Sequence, residues 1–295
     1  MVRYQPEVPG VWGQSSEEQA GAFRSEYVTL PDQCQLFVRS WVRPGVDVLL
    51  ILHGLGGHGG WYVDMANEVW ERGLSVYTVD HRGFGQSQGL KGHIDAYQQY
   101  VEDSAEIIRE IRQRHPGQKI YCMGHSMGGI FASYIAAQHG DLLAGVIFLN
   151  PWIKDTAQIS LRTASGILLG GIFKSRRLWQ VGGGHEGMTA NPEAGRMLDA
   201  DPYWVRAQTA SFLLQILRMR LGAIKQAARI SIPALVIQAE GDTVVDREAT
   251  YGLYHALGSQ DKTWKSYPTW FHDTQFEAER TPLDNDLVAW IQSHA

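Results

Sequence analysis

The most constraining stretch of this chain is Gly124-His125-Ser126-Met127-Gly128. It lies between a strand-like apolar run, residues 119–123, and a run of small and apolar residues, 129–137, that is helix-like and stops at Gly140. A strand that turns sharply into a helix forces its middle residue into a strained backbone conformation, and glycines two positions to either side remove the Cβ atoms that would clash there. Gly124 and Gly128 fill those positions. The pattern predicts alternating strands and helices, with Ser126 at the carboxyl end of a strand. It also sets the Met127 amide at a helix start, where unpaired N–H groups and the helix dipole favour negative charge. A serine in that setting is a candidate nucleophile, and hydrolysis is the first expectation.

Other segments repeat the strand–helix rhythm. Residues 26–30 and 35–42, joined through Pro31-Asp32-Gln33, read as an antiparallel hairpin. Residues 47–52, 74–79, 119–123, 143–149 and 234–238 are apolar runs of the kind buried on both faces of a parallel sheet, and 262–267 is a less regular last strand. A helix is expected over Asp95–Arg114, with Tyr97, Tyr100, Val101, Ala105, Ile108 and Ile111 on one face and Pro116-Gly117 closing it. A final helix is expected from Thr281 as N-cap and Pro282 in the first turn, aligning Leu283, Leu287, Trp290 and Ile291. Strands alternating with helices imply right-handed crossovers and a mostly parallel sheet, with ligands at the carboxyl ends of the strands.

Residues 152–229 break this rhythm, because one short helix would suffice to connect the strands on either side. The insert carries Leu161, Ile167, Leu168, Leu169, Ile172 and Phe173, then Lys174, Arg176 and Arg177, and a Gly182-Gly183-Gly184 hinge. It reads as a cap whose apolar face packs on the sheet or docks transiently on a lipid surface. The domain reading is an N-terminal arm (1–25), a first core segment (26–151), the cap (152–229) and a second core segment (230–295).

With 295 residues, 44% of them apolar, the chain can bury one large core. A net charge of -5 offers no general attraction to nucleic acid, so no such partner is expected. Cys34 and Cys122 are far apart and read as free thiols. The first residues lack the apolar stretch of a signal peptide and no segment approaches bilayer length, so a cytoplasmic location is expected. Oligomeric state is left open.

A serine hydroxyl attacks only if a base takes its proton, so a histidine is required, oriented by a carboxylate. When a strand–turn–helix carries the nucleophile, acid and histidine follow in that order after later strands, which selects Asp242 and His272. Asp246 and Glu240 are rivals to Asp242, and Asp273 sits beside His272. These three read as solvated loop charges or local caps. His125 should point away from the hydroxyl, while His115 and His139 read as surface or capping residues. The second oxyanion donor is expected in the loop 53–58, and Leu55 is the choice, acting with the Met127 amide.

The same loop contains Gly54-Leu55-Gly56-Gly57-His58-Gly59, which satisfies a dinucleotide-binding pattern, with Asp80 ending the next strand. His53 at the tight turn, the continuation His81-Arg82-Gly83-Phe84-Gly85-Gln86-Ser87 and the Ser126 turn all argue against that use. His53, His58, Asp80 and His81 show no compact metal-ligand spacing.

Taken together, His53-Gly54 with His58, the segment 80–87 followed by Gly92-His93, Gly124 to Gly129, Asp242 to Asp246, and His272-Asp273 with Glu277 make the chain resemble the monoacylglycerol lipase and lysophospholipase branch of the α/β-hydrolases, from about Glu26 onward. The resemblance implies an α/β-hydrolase fold, with a mostly parallel eight-stranded sheet flanked by helices and a helical cap after the sixth strand. It implies Ser126, Asp242 and His272 as a catalytic triad, Leu55 and Met127 as oxyanion donors, and no cofactor or metal. Phe271 stands where the branch often has tyrosine, Asp273 replaces a common glutamate, and the cap matches poorly. The resulting expectation is a serine carboxylester hydrolase acting on a small ester or lipid. A peptidase, thioesterase or perhydrolase on the same triad, and a hydrolase-like ligand-binding protein, are the alternatives.

Overall fold

The structure, a computed structural model, describes residues 23–156, 161–173, 175–180 and 184–295. The expected arm before Phe23, and Lys174, Gly182 and Gly183 of the expected cap, lie outside the described residues. In chain order the elements are β1 (Phe23–Thr29), β2 (Gln35–Trp41), β3 (Val48–Leu52), α1 (Val63–Glu71), β4 (Ser75–Val79), α2 (Gln98–Arg114), β5 (Ile120–His125), α3 (Met127–Gln138) and β6 (Gly145–Leu149). There follow α4 (Leu161–Ile172), β7 (Leu178–Trp179), α5 (Pro192–Ala200), β8 (Gln208–Thr209), α6 (Ala210–Ala227), β9 (Ala234–Ala239), α7 (Arg247–Ala256), β10 (Lys262–Tyr267) and α8 (Thr281–Ser293).

Eight strands form one sheet in the order β1-β2-β4-β3-β5-β6-β9-β10. β2 pairs antiparallel with β1 and β4, and the remaining pairings are parallel. The mostly parallel eight-stranded sheet expected from the sequence is therefore present. Every residue of β3 is buried, because successive side chains serve opposite cores. Val48, Leu50 and Leu52 join Ile108 of α2, Phe131 of α3 and Phe212 of α6 on one face, while Leu49 and Ile51 join Met65 of α1 and Leu287 of α8 on the other.

Two helix boundaries differ from the sequence reading. α2 starts at Gln98 rather than Asp95. α8 is capped by Arg280, not Thr281, because Arg280 already has helical backbone angles; its carbonyl accepts from the Leu283 and Asp284 amides and its guanidinium pairs with Asp284 at 3.2 Å. His115 takes the capping alternative at the C-terminus of α2 rather than a surface position, since it is buried and its Nε2 meets the Tyr77 hydroxyl at 2.9 Å. Cys34 and Cys122 are both free and buried.

Between β6 and β9, α6 packs against α3, with the Tyr134 hydroxyl donating to the Met219 carbonyl at 3.1 Å, and α4 rests on α6. The segment after α5 descends onto the core. Asp201 Oδ2 bridges His58 Nε2 at 2.9 Å and Trp61 Nε1 at 2.7 Å, and the Val205 amide donates to the Gly56 carbonyl at 2.9 Å. These contacts hold the loop after β3 from above. Among the described residues no helix is long and apolar enough to cross a membrane.

Asp80, the acid of the dinucleotide-like pattern, is spent inside the protein. Its Oδ1 accepts from Arg39 at 2.6 Å and from the Gly59 amide at 2.8 Å, and its Oδ2 accepts from the Gln86 amide at 2.8 Å. Burial opposes its charge, but Arg39 and these donors outweigh burial and hold the carboxyl well below the usual range. Removing one partner of such a buried pair leaves an uncompensated charge, so Arg39→Met is expected to cost about 3–5 kcal/mol of stability, read by denaturant unfolding. An unchanged midpoint would remove the ion pair from the structural account.

Candidate active site

Ser126 lies between β5 and α3 at φ 54° and ψ −115°, a left-handed conformation that side-chain-bearing residues rarely adopt. Its neighbours make this conformation possible. A Cβ on Gly124 would sit 2.1 Å from the Gly128 carbonyl oxygen, and one on Gly128 would sit 2.2 Å from the Leu52 carbonyl oxygen. The turn is pinned by the Ser126 amide donating to Leu149 at 3.0 Å and by the Trp152 amide donating to the Ser126 carbonyl at 2.9 Å.

The structure brings Ser126, His272 and Asp242 together from three loops at the carboxyl end of the sheet. Ser126 Oγ lies 2.9 Å from His272 Nε2, and His272 Nδ1 lies 2.7 Å from Asp242 Oδ2. The other Asp242 oxygen accepts from the Val244 and Val245 amides at 2.8 and 3.0 Å, which fixes the carboxylate before it meets the ring. Burial disfavours the Asp242 charge, yet the imidazole and these amides outweigh it and lower its pKa. Burial likewise opposes a charged His272, but Asp242 more than compensates and raises its pKa. The ring is thereby prepared to receive a proton.

Met127 is the first residue of α3, and Leu55 follows Gly54, whose Cβ position would lie 3.2 Å from Ser126 Cβ. Among the described residues neither the Leu55 nor the Met127 amide donates to a protein acceptor. Both residues border the Ser126 region, and Leu55 lines a cavity of about 390 Å³ that also reaches Ser126 and His272. Apolar side chains, among them Trp152, Ile167, Leu213, Ile216 and Leu217, form much of its wall.

The rivals separate clearly. Asp246 caps α7 through the Glu248 and Ala249 amides and pairs with Lys154, as a local cap should, and Glu240 is exposed. Asp273 stands at the N-cap position of the 3₁₀ turn Thr274–Phe276, as a local cap would, but it is not a solvated charge: it is 1% exposed and lines the cavity. A loop position gives no sign of this burial, which arises because the Asp273 amide is docked at 2.6 Å on the Met188 carbonyl in the insert between β6 and β9. His125 points away from Ser126 Oγ, as expected. Its Nδ1 meets the Tyr62 hydroxyl at 2.7 Å and its Nε2 meets the His272 carbonyl at 3.0 Å. An Nε2 facing a carbonyl must carry the proton, so Nδ1 accepts from Tyr62. Burial pushes the His125 pKa down to about 3, which keeps this ring neutral.

Two contributors were not legible in the sequence. Asn150, at φ 43°, donates from Nδ2 to the His272 carbonyl at 2.6 Å and accepts at Oδ1 from the Ala239 amide at 2.7 Å. It thus ties the end of β9, just before Asp242, to the residue that carries the imidazole. Asp201, reaching His58 and Trp61 from the segment after α5, supports the Leu55 loop. Their partners lie tens of residues away, so no local spacing announces them.

His53, His58, Asp80 and His81 do not form a metal site. His53 Nδ1 faces the Gly54 carbonyl at 2.8 Å and its Nε2 accepts from the His81 amide at 2.9 Å, while His58 and Asp80 have the partners given above. Among the described residues, His125, His272 and Asp273 have their candidate ligand atoms within 4.8 Å of one another, but the ring nitrogens of both histidines are already engaged.

The chain is similar to several known proteins. The mouse monoglyceride lipase is 27% identical over 242 residues, covering 80% of this chain and 79% of that protein. The monoacylglycerol lipase of Mycolicibacterium smegmatis is 26% identical over 258 residues, covering 84% and 88%. The crystal structure of the Paleococcus ferrophilus monoacylglycerol lipase superposes with a TM-score of 0.80 at 24% identity, over 88% of this chain and 99% of that one. The family model described as serine aminopeptidase, S33, matches residues 45–279, which takes in the Leu55 loop, the Ser126 turn, Asp242 and His272. The chain belongs to that family of serine hydrolases and has its α/β-hydrolase fold.

Proposed function

We propose that this protein is a serine carboxylester hydrolase that works through an acyl-enzyme intermediate. The observation that carries the reading is the continuous hydrogen-bonded line from Ser126 Oγ through His272 to Asp242 at the wall of an apolar cavity. As Ser126 Oγ bonds to the ester carbonyl carbon, its proton passes to His272 Nε2, and Asp242 stabilises the imidazolium that results. The charge gathering on the carbonyl oxygen is met by the Leu55 and Met127 amides, the latter aided by the α3 dipole. Collapse expels the alcohol, which takes the proton from His272. A water then repeats the sequence on the acyl-enzyme, releasing the acid and restoring Ser126.

The apolar wall suits an aliphatic acyl chain, and the relatives named as monoglyceride lipases support a monoacylglycerol or another single-chain lipid ester as substrate. The insert after β6 reads as a cap that presents this cavity to a lipid surface. Leu168, Leu169 and Ile172 of α4 with Phe173, and Leu221 and Ile224 of α6, are exposed, while Ile167 and Leu217 on the same helices line the cavity. Amide hydrolysis is the second reading, favoured by the description of the family as aminopeptidases.

Hydrolysis of p-nitrophenyl and glycerol esters across acyl lengths, beside aminoacyl anilides, separates the two readings. Longer acyl esters are expected to be cleaved with higher kcat/KM than acetate, and a preference for the anilides would replace the ester reading. Ser126→Ala should lose both turnover and labelling by a fluorophosphonate. Asp242→Asn should lower kcat by about 10⁴-fold, and near-normal turnover would remove Asp242 from its role. Asn150→Ala leaves the buried His272 carbonyl and Ala239 amide each one partner short, a loss of about 1–3 kcal/mol in stability, and should lower kcat more than it raises KM. A change in KM alone would count against a part in aligning the ring.

A further inference from the structure

The mechanism uses one carboxylate beside His272, but the structure holds a second. Asp273 lies within the cavity wall at 1% exposure, and one of its carboxyl oxygens falls within 4.8 Å of a His272 ring nitrogen. Its Oδ2 has no hydrogen-bond partner among the described residues. Its Oδ1 is 3.6 Å from His125 Nε2, whose proton is already given to the His272 carbonyl. The Gln275 side chain is close enough to favour the Asp273 charge, but the two make no hydrogen bond of good geometry. A buried carboxyl so poorly solvated resists ionisation unless a positive charge appears close by. The positive charge that the reaction creates is the His272 imidazolium.

From this juxtaposition, and resting on the triad reading above, we propose that Asp273 is a positioning residue whose titration is electrostatically coupled to that of His272, so that its charge decides over which pH range the imidazole is free to act as a base. The two states that hold one proton balance: imidazolium plus carboxylate on one side, neutral imidazole plus carboxylic acid on the other, with the same net charge in both. The two groups exchange no hydrogen bond, because the His272 nitrogens face Ser126 and Asp242. The coupling is electrostatic.

Every group around the pair leaves this exchange intact. Burial pushes the Asp273 carboxyl up to about 7 against the pull of His272 and of the Gln275 side chain, with Asp242 and Glu277 adding like-charge repulsion. His125 of β5 stays neutral, and the Tyr62 hydroxyl is raised far above its ordinary range by burial and then by Asp273, so neither competes for the proton. Met188, which docks Asp273 from the cap side, is uncharged. Two groups coupled in this way titrate as a pair, and the ring becomes fully neutral only when the carboxylate that favours its proton is overcome. The pH–rate limb of the wild-type protein should therefore be shallower, and reach half-maximum higher, than that of a protein with one titrating ring.

The test is the rate of fluorophosphonate labelling at Ser126 as a function of pH, in the whole chain and in the nearly isosteric variant Asp273→Asn. Labelling requires the neutral ring but no ester substrate. The variant is expected to show a limb of single-group steepness with its half-maximum about one pH unit lower, making it several-fold faster than wild type on the steep part of the limb. Asp273→Glu should keep a broadened limb. Coincident limbs for wild type and Asp273→Asn, with both proteins showing the same cooperative unfolding, would overturn the proposal. If Asp273→Asn does not fold, a single-group limb in the wild type would also overturn it, and a broadened one that Asp273→Glu retains would support it. A wild-type protein that is never labelled would instead overturn the serine hydrolase reading on which the proposal stands.

Discussion

The site depends on a backbone conformation that the chain would not adopt unaided. Holding a serine at φ 54° costs on the order of 1–3 kcal/mol, and it persists only because β5 and α3 are packed on both sides of the turn. β5 is buried along its whole length, and α3 is buried from Met127 to Ala136. With both elements immobile, the chain between them has too few residues to relax, and Gly124 and Gly128 are the positions where relaxation would otherwise be forced by a Cβ. The core stabilises the turn, and the turn presents the hydroxyl.

A second constraint acts on His272, whose ring must meet two partners at once. Its backbone carbonyl is gripped by Asn150 and His125, and the Phe271 amide is held by Glu277 at 3.2 Å, so the loop is fixed on both sides of the imidazole. Asn150 also holds the end of β9, so that the Asp242 and His272 loops share one anchor. Asn150 and His125 are neutral and buried, which lets them position the ring without competing for its proton. The insert between β6 and β9 contributes to the same rigidity, since Asp201 and Val205 support the Leu55 loop and Met188 seats Asp273.

What the sequence disclosed follows from how local each signal is. The Ser126 turn, the doubly buried strands and the apolar stripe of α2 are written in neighbouring residues, and they led to the sheet and the α/β-hydrolase fold. The positions of Asp242 and His272 after later strands were legible because strand ends converge on one rim of a parallel sheet. Thr281-Pro282 resembles a cap in isolation, whereas in the fold Arg280 has helical backbone angles and its carbonyl accepts from the Leu283 and Asp284 amides. Local pattern leaves His115 and Asp273 open between cap and surface; both stand at cap positions, and their burial is decided by distant partners, Tyr77 and Met188 respectively. Asn150 was passed over for the same reason: its two partners are 89 and 122 residues away.

The central claim is that the Ser126 oxygen becomes covalently bonded to the acyl group of a substrate. It is tested most directly by mixing the protein with a slowly hydrolysed ester, quenching in acid during turnover and mapping the acylated peptide by mass. The account requires one acyl group on the peptide that contains Ser126, accumulating within the first turnover and vanishing as hydrolysis completes. An acyl group on another residue, or steady hydrolysis with no acylated peptide and no early burst of released alcohol, would contradict it.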